Sequence, residues 1–336
     1  MTITICGGGN LGHVLLGVLS ANKKHTINLL TNRPEDWNHQ ISVEDCNNRR
    51  YVGNLTIITS QAEDVIPQAD MVIICLPGFA IKEALLKIKP YLTPECKIGS
   101  IVANTGFFFM AKEVLEKNAQ LFGFQRVPYV ARITEYGRSA QLLGYKTYLY
   151  VAIENISDTE SFRQIIESLF ATPTQLLTHY LEASLSNSNP LLHTARLYSM
   201  WNSWKKDETY NRQSLFYEEW TEDASDLLIC MDNEFMGLLD KLPINKKNIP
   251  SILDYYESSD AQSLTAKIRS IEAFKTIKSP MRLKGSGWIP DFNSRYFTED
   301  FPYGLNFIKE TAAKQNMTTP VIDMVYNWGI NILKEK

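Results

Sequence analysis

The sequence lacks a disulfide framework, a long apolar run and a basic stripe, and each absence removes a class of protein. Its five cysteines, at 6, 46, 75, 96 and 230, are odd in number and show no paired metal-ligand spacing, so neither a stapled secreted scaffold nor a metal site is expected. A reducing compartment follows, with Cys6 and Cys75 read as small buried hydrophobes in strands. No apolar run reaches the length of a membrane span, and the apolar N-terminal segment has no basic leader or cleavage site, which points to a soluble cytoplasmic protein. Lysine and arginine total 34 against 37 acidic residues, a net charge of −3, and they gather into no stripe with interleaved aromatics, so nucleic acid is not an expected partner.

The chain has 336 residues, 44% of them hydrophobic, enough to bury two domain cores. It begins with a β-rich run, Thr2 to Cys6, then Gly7-Gly8-Gly9-Asn10-Leu11-Gly12, then an apolar helical stretch to Ser20. That strand-turn-helix order is the context in which glycines cradle a dinucleotide. Gly7 would make the tight turn, Gly9 would let the backbone approach the pyrophosphate, and Gly12 would let helix and strand pack closely. Main-chain N–H groups of Asn10 and Leu11 at the helix N-terminus would carry the anion, with the helix dipole assisting. A second strand follows at Thr26 to Leu30, and a further absence appears at its end. The chain reads Thr31-Asn32-Arg33 with no carboxylate before Glu35, so the hydroxyl and guanidinium there favour the 2′-phosphate of NADP, with NAD the alternative.

β-rich runs recur at Asn54 to Thr59, Asp70 to Pro77 and Lys97 to Ala103, with a helix over Ala80 to Ile88. Such alternation predicts an α/β, Rossmann-type doubly wound parallel sheet, whose ligands sit beyond the carboxyl ends of the strands. Leu76-Pro77-Gly78 and Asn104-Thr105-Gly106 fall at those ends, as nicotinamide and ribose neighbours or as plain turns. Short β runs fill 126 to 151, and a helix is expected from Asp158 to Phe170. The polar cluster from Ser184 to Pro190 is the best boundary, dividing a nucleotide-binding domain at 1–185 from an all-α domain at 186–336.

The chain resembles the octopine/nopaline (opine) dehydrogenases. The likeness runs through the glycine turn, Arg132 to Gly137 with Gly144-Tyr145-Lys146, Asn189-Pro190-Leu191-Leu192-His193, Phe216-Tyr217-Glu218-Glu219 and Asp232-Asn233-Glu234. It continues in Arg295-Tyr296-Phe297-Thr298-Glu299-Asp300 and in Thr319-Pro320-Val321-Ile322-Asp323. The chain departs from the family at Thr194, where proline is usual, and at Trp220, where a small residue is common; both departures bear on the substrate. The resemblance implies reductive condensation of an α-keto acid with the amino group of an amino acid, using NADH or NADPH. It also implies that His193 is the acid/base, Asp300 its partner and Arg295 the anchor of a substrate carboxylate.

The chemistry asks for the same residue types. Hydride reduction of C=N or C=O leaves an atom that must gain a proton, and imidazole ordinarily gives and takes one near neutrality. A carboxylate on its other nitrogen would fix the tautomer, and a guanidinium clamps a carboxylate bidentately. Lys146 is read either as a helper for a substrate carboxylate or as a surface lysine, and His179 as a solvated helix residue. Trp201 and Trp204, three apart on an expected helix, would share a face of the kind found in a core, at a homodimer interface or, less often, against a substrate. The run Glu218, Glu219, Glu222, Asp223 reads as a solvated face or as an attractor of a cationic amino donor. Two other functions fit the two-domain plan: a ketopantoate- or 2-hydroxyacid-type reductase acting on C=O, and a nucleotide-binding protein without catalysis.

Overall fold

A computed structural model of the chain describes residues 1–206 and 208–334. The chain divides into two compact units, Met1–Ser184 and Leu185–Lys336.

The first unit is built on an eight-stranded sheet of order β12-β11-β8-β7-β6-β1-β2-β5, comprising β1 (Thr2–Cys6), β2 (Thr26–Leu30), β5 (Ile58–Thr59), β6 (Met71–Ile74), β7 (Lys97–Ser100), β8 (Gln120–Phe124), β11 (Leu149–Glu154) and β12 (Thr174–Leu176). All neighbours run parallel except β8 and β11. Strand β6 shows why: all four of its residues are buried, as a strand covered on both faces must be, so the run is continuously apolar rather than alternating. Connecting helices are α1 (Asn10–Ala21), α2 (Gly78–Ile88), α3 (Phe107–Val114), α4 (Thr159–Phe170) and α5 (Tyr180–Ser184). Asp158 caps α4, accepting from the Ser161 N–H.

A second sheet, of order β4-β3-β10-β9, lies over α1, built from β3 (Gln40–Asp45), β4 (Arg50–Asn54), β9 (Tyr129–Glu135) and β10 (Ser139–Tyr145). The sequence reading found β runs in the region of β9 and β10 but not β3 and β4. Only Ile41, Val43 and Asp45 of β3 are buried, a one-sided pattern rich in polar residues. The approach of this sheet to α1 is close enough to require glycine: a Cβ on Gly53 would lie 2.0 Å from Ser20 Oγ.

The second unit is helical apart from one hairpin. Its helices are α6 (Asn189–Trp201), α7 (Glu222–Leu239), α8 (Ile252–Tyr255), α9 (Ala261–Ser270), α10 (Arg295–Thr298), α11 (Asn306–Lys314) and α12 (Pro320–Lys334), and the hairpin is β13 (Met281–Lys284) with β14 (Gly287–Pro290). Helix α7 packs on α6, α9 and α12. Glu234 accepts from the N–H groups of Val321 and Ile322, satisfying orphan donors at the start of α12. Among the described residues no helix is long and apolar enough to cross a membrane.

Candidate active site

In the first unit, β1 delivers the chain to a turn at Gly7, φ +114°, where a Cβ would lie 2.5 Å from the Cys75 carbonyl oxygen. A Cβ on Gly12 would lie 2.2 Å from the Gly7 oxygen, so helix and turn meet without room for a side chain. A Cβ on Gly9 would meet nothing within 4 Å, leaving that backbone face open. A cavity of about 210 Å³ adjoins the turn and gathers Gly7, Thr31, Asn32 and Leu76 with Ala80, Glu83 and Lys87 of α2. The α2 residues were not anticipated, because nothing in a helical pattern says which face overlooks a neighbouring turn.

The turn is held from behind by His13. Its Nε2 accepts the Gly137 N–H at 2.8 Å, so the proton sits on Nδ1, which donates to the Gly9 carbonyl at 3.0 Å. Burial holds the imidazole pKa below its ordinary value and keeps this neutral tautomer. Trp37 packs tilted against it and Tyr136 meets it edge-on, at 4.2 and 5.0 Å between centroids. Arg33 is exposed, 3.5 Å from Asp36, with its guanidinium 4.5 Å from the Tyr136 ring centre. Asn10 Oδ1 accepts the Ile133 N–H at 2.8 Å, which fixes the side chain between α1 and β9. Pro77 caps α2, Asn104 is buried with its amide directed at the Gln125 carbonyl, and the Thr105 hydroxyl donates to the Val102 carbonyl. Lys146, at the end of β10, is exposed.

In the second unit, His193 sits in the first turns of α6 behind Asn189-Pro190, where proline suits the helix start. Its Nδ1 meets Asp300 Oδ2 at 2.7 Å, and its Nε2 meets the Tyr217 hydroxyl at 2.8 Å. The carboxylate can only accept, so Nδ1 donates and Nε2 takes the tyrosine proton. Both dyad side chains are mostly buried, at 11% and 16% exposure, enough to strengthen their interaction while keeping it reachable. Tyr217 belongs to the motif Phe216-Tyr217-Glu218-Glu219, which by itself gives no sign of this contact. Arg196, one turn beyond His193, explains its placement: the guanidinium donates to the carbonyls of Phe216 and Glu219 and so fixes the segment between them against α6. Burial drives the Tyr217 phenol pKa upward, and the charge of Asp300 adds to it.

Asp300 lies between α10 and a π-turn at Phe301–Leu305, and the rings of Phe297 and Phe301 stack at 5.6 Å. Tyr296 lays its ring 4.6 Å from the imidazole. Arg295 is directed elsewhere: Nε and Nη2 grip both oxygens of Glu299 at 2.7 Å, with most of the side chain exposed. That pair uses one edge of the guanidinium and leaves the Nη1 edge outside it.

Other expectations need correction. His179 is half-buried just before α5, accepting the Leu181 N–H, rather than solvated on a helix. Trp204 lies beyond the end of α6, so it does not extend the helical face of Trp201. The acidic run divides: Glu219 takes both Arg212 and the Leu215 N–H and Glu218 accepts from the Thr276 N–H, whereas Glu222 and Asp223 are exposed in the first turn of α7. Thr194 returns its hydroxyl to the Pro190 carbonyl, and Trp220 is fully buried with its indole N–H on Ser225.

A glycine turn over a parallel sheet, joined in one chain to a helical unit carrying a His–Asp pair, defines a nicotinamide-dependent oxidoreductase. Residues 176–333 match NAD/NADP octopine/nopaline dehydrogenase, alpha-helical domain, and residues 3–105 match ketopantoate reductase PanE/ApbA. The helical unit thus carries the alpha-helical domain of the octopine/nopaline dehydrogenases. It is 26% identical to tauropine dehydrogenase of Arabella iricolor over 99% of this chain and 91% of that one, and 26% identical to octopine dehydrogenase of Mizuhopecten yessoensis over 98% and 89%. The fold matches octopine dehydrogenase solved with NADH and L-arginine at a TM-score of 0.87, 24% identity, over 99% of this chain and 90% of that one. Yersinopine dehydrogenase with NADP+ bound matches at 0.73, 13% identity, over 100% and 91%.

Proposed function

We propose that this enzyme joins an α-keto acid to the amino group of an amino acid through an imine and reduces the C=N bond, with His193, Asp300 and Tyr217 moving the proton and Arg295 holding the keto-acid carboxylate. The single observation that carries this reading is His193 held between an acceptor on Nδ1 and a donor on Nε2. A bound nicotinamide would supply the hydride to the imine carbon. Imine formation from the ammonium form of the amino acid releases one proton, which Nε2 takes through the Tyr217 hydroxyl. On reduction the imine nitrogen takes a proton from that hydroxyl as the hydroxyl takes one back from Nε2, and Asp300 stabilises the imidazolium in between. Tyr217 carries the proton without becoming phenolate, because burial makes that charged form costly. The Nη1 edge of Arg295 offers a second pair of donors beside the Glu299 pair, enough to orient a carboxylate.

We assign the cofactor as NADPH. Thr31, Asn32 and Arg33 follow β2 with no carboxylate to meet a ribose 2′-hydroxyl. Arg33 must trade its exposed pairing with Asp36, worth at most about 1 kcal/mol. A 2′-phosphate with nearly two charges outweighs that. The five free thiols agree with a cytoplasmic setting. A second reading, a reductase of C=O alone, is favoured by the match of residues 3–105 to ketopantoate reductase. One experiment separates them: NADPH oxidation with a panel of keto acids, each with and without amino acids. Amine-dependent oxidation is expected, and equal rates without amine would establish the second reading. Titration with NADPH and NADH tests the cofactor, tighter NADPH being expected.

A further inference from the structure

A groove of about 620 Å³ opens in the second unit, away from the dyad. Trp201 in its wall follows His193 by eight residues on α6, about 12 Å along the helix axis at 1.5 Å per residue. The wall is aromatic and fixed. Trp201 stacks on Phe297 at 6.2 Å between centroids, and Trp328 packs on Phe297 and Phe301 at 5.9 and 6.0 Å. The Trp204 indole N–H donates to the Glu208 carbonyl at 3.0 Å, and its ring meets Phe292 edge-on at 5.5 Å.

Above these rings stand three cations: Lys206, and Arg282 with Lys284, two apart on β13 and therefore on one face of that strand. No acidic residue is among the described residues that line the groove, and none of the three cations has an ion pair among the described residues. The Lys284 ammonium reaches only the Lys206 carbonyl, at 3.4 Å. Elsewhere exposed lysines do pair with carboxylates, as Lys82 does with Glu113 and Lys267 with Glu257. Three like charges with no ion-pair partner among the described residues repel one another and raise the local concentration of anions.

We propose that this groove is a second binding site, for a small planar aromatic ring carrying a doubly charged anion. The ring lies against the half-buried indoles of Trp204 and Trp328, the anion takes the Arg282 fork, and the two ammonium groups complete its neutralisation. A guanidinium suits phosphate and carboxylate alike, and the volume falls in the usual range for small-molecule sites.

The test is calorimetric titration of the whole chain, with NADP+ saturating the first unit, using phenyl phosphate, phthalate, inorganic phosphate and benzyl alcohol. Saturable binding of phenyl phosphate or phthalate is expected, at least about tenfold tighter than inorganic phosphate, with none for the alcohol. Which aryl anion binds identifies the source as phosphate or carboxylate. The double variant Arg282→Ala/Lys284→Ala should weaken binding at least about tenfold while melting temperature and NADP+ affinity stay unchanged. Trp204→Leu should weaken the aryl anion without altering affinity for inorganic phosphate. No saturable binding of either aryl anion, equal binding of inorganic phosphate, or undiminished binding by the folded double variant would overturn the proposal.

Discussion

With Asp300 on one ring nitrogen and Tyr217 on the other, the His193 imidazole is held in one orientation, which in the proposed reaction would lower the barrier. His193→Ala and Asp300→Asn should each lower turnover by about 10²–10⁴, the usual range for a positioned acid/base. The double variant should be little worse than His193→Ala alone, since residues acting as a unit are far from additive. Losses that multiply would mean two independent roles. Tyr217→Phe keeps the ring packing and removes only the hydroxyl; a large fall in kcat with unchanged NADPH affinity is expected, and near-normal turnover would mean that His193 delivers the proton directly. Asp232 makes a contrasting case outside the site. Burial raises its pKa from 3.8 to about 6, while its Oδ2 accepts the Ile252 N–H at 2.9 Å. A carboxyl raised in this way contributes stability below its unfolded pKa and loses it as pH rises through about 6. Asp232→Asn keeps the acceptor without the charge and should stabilise the fold near neutral pH by about 1–3 kcal/mol, a gain that shrinks as pH falls through the acid range. Thermal melts across pH check the sign. His193 and Asp300 were legible because their motifs are short and specific. The Tyr217 contact was not, since a loop residue 24 positions from its partner is placed by Arg196 and by packing, neither of which leaves a periodic trace. The Arg295 pairing with Glu299 was likewise hidden, because it needed a four-residue helix that a short polar stretch does not announce.

At the scale of the element, the turn between β1 and α1 separates two uses of glycine that look identical in sequence. Gly12 is bare because the protein itself is in the way, whereas the face of Gly9 is open. Gly12→Ala should therefore cost about 1–3 kcal/mol of stability, as overpacking does, and weaken NADPH with it. Gly9→Ala should leave the melting temperature nearly unchanged and still weaken NADPH sharply, because its methyl group would occupy the space of the pyrophosphate. If Gly9→Ala binds NADPH normally, the anion lies elsewhere along the turn. The strand-turn-helix order was legible from β propensity and glycine spacing. The second sheet over α1 was less so: β3 carries its apolar residues on one face only, and its hairpin to β4 turns through Asn48 at φ +60° rather than through a glycine.

Across the whole molecule, that second sheet ties the beginning of the chain to its middle. His13 fixes the glycine turn by accepting from Gly137, and Asn10 holds the Ile133 N–H, contacts that span 124 and 123 residues. The match to ketopantoate reductase ends at residue 105, before either partner has been made. The order of synthesis therefore matters: as the chain leaves the ribosome, the glycine turn emerges early but cannot be braced until β9 and β10 follow it. A chain ending at residue 105 should accordingly be recovered unfolded or protease-sensitive and without NADPH affinity, whereas one ending at Ser184 should fold and bind. The glycine turn, first in sequence, is then among the later features of its unit to be braced. Until then the nascent chain leaves open the part of α1 that β9 and β10 cover, an apolar surface of the kind that makes incomplete chains prone to aggregate.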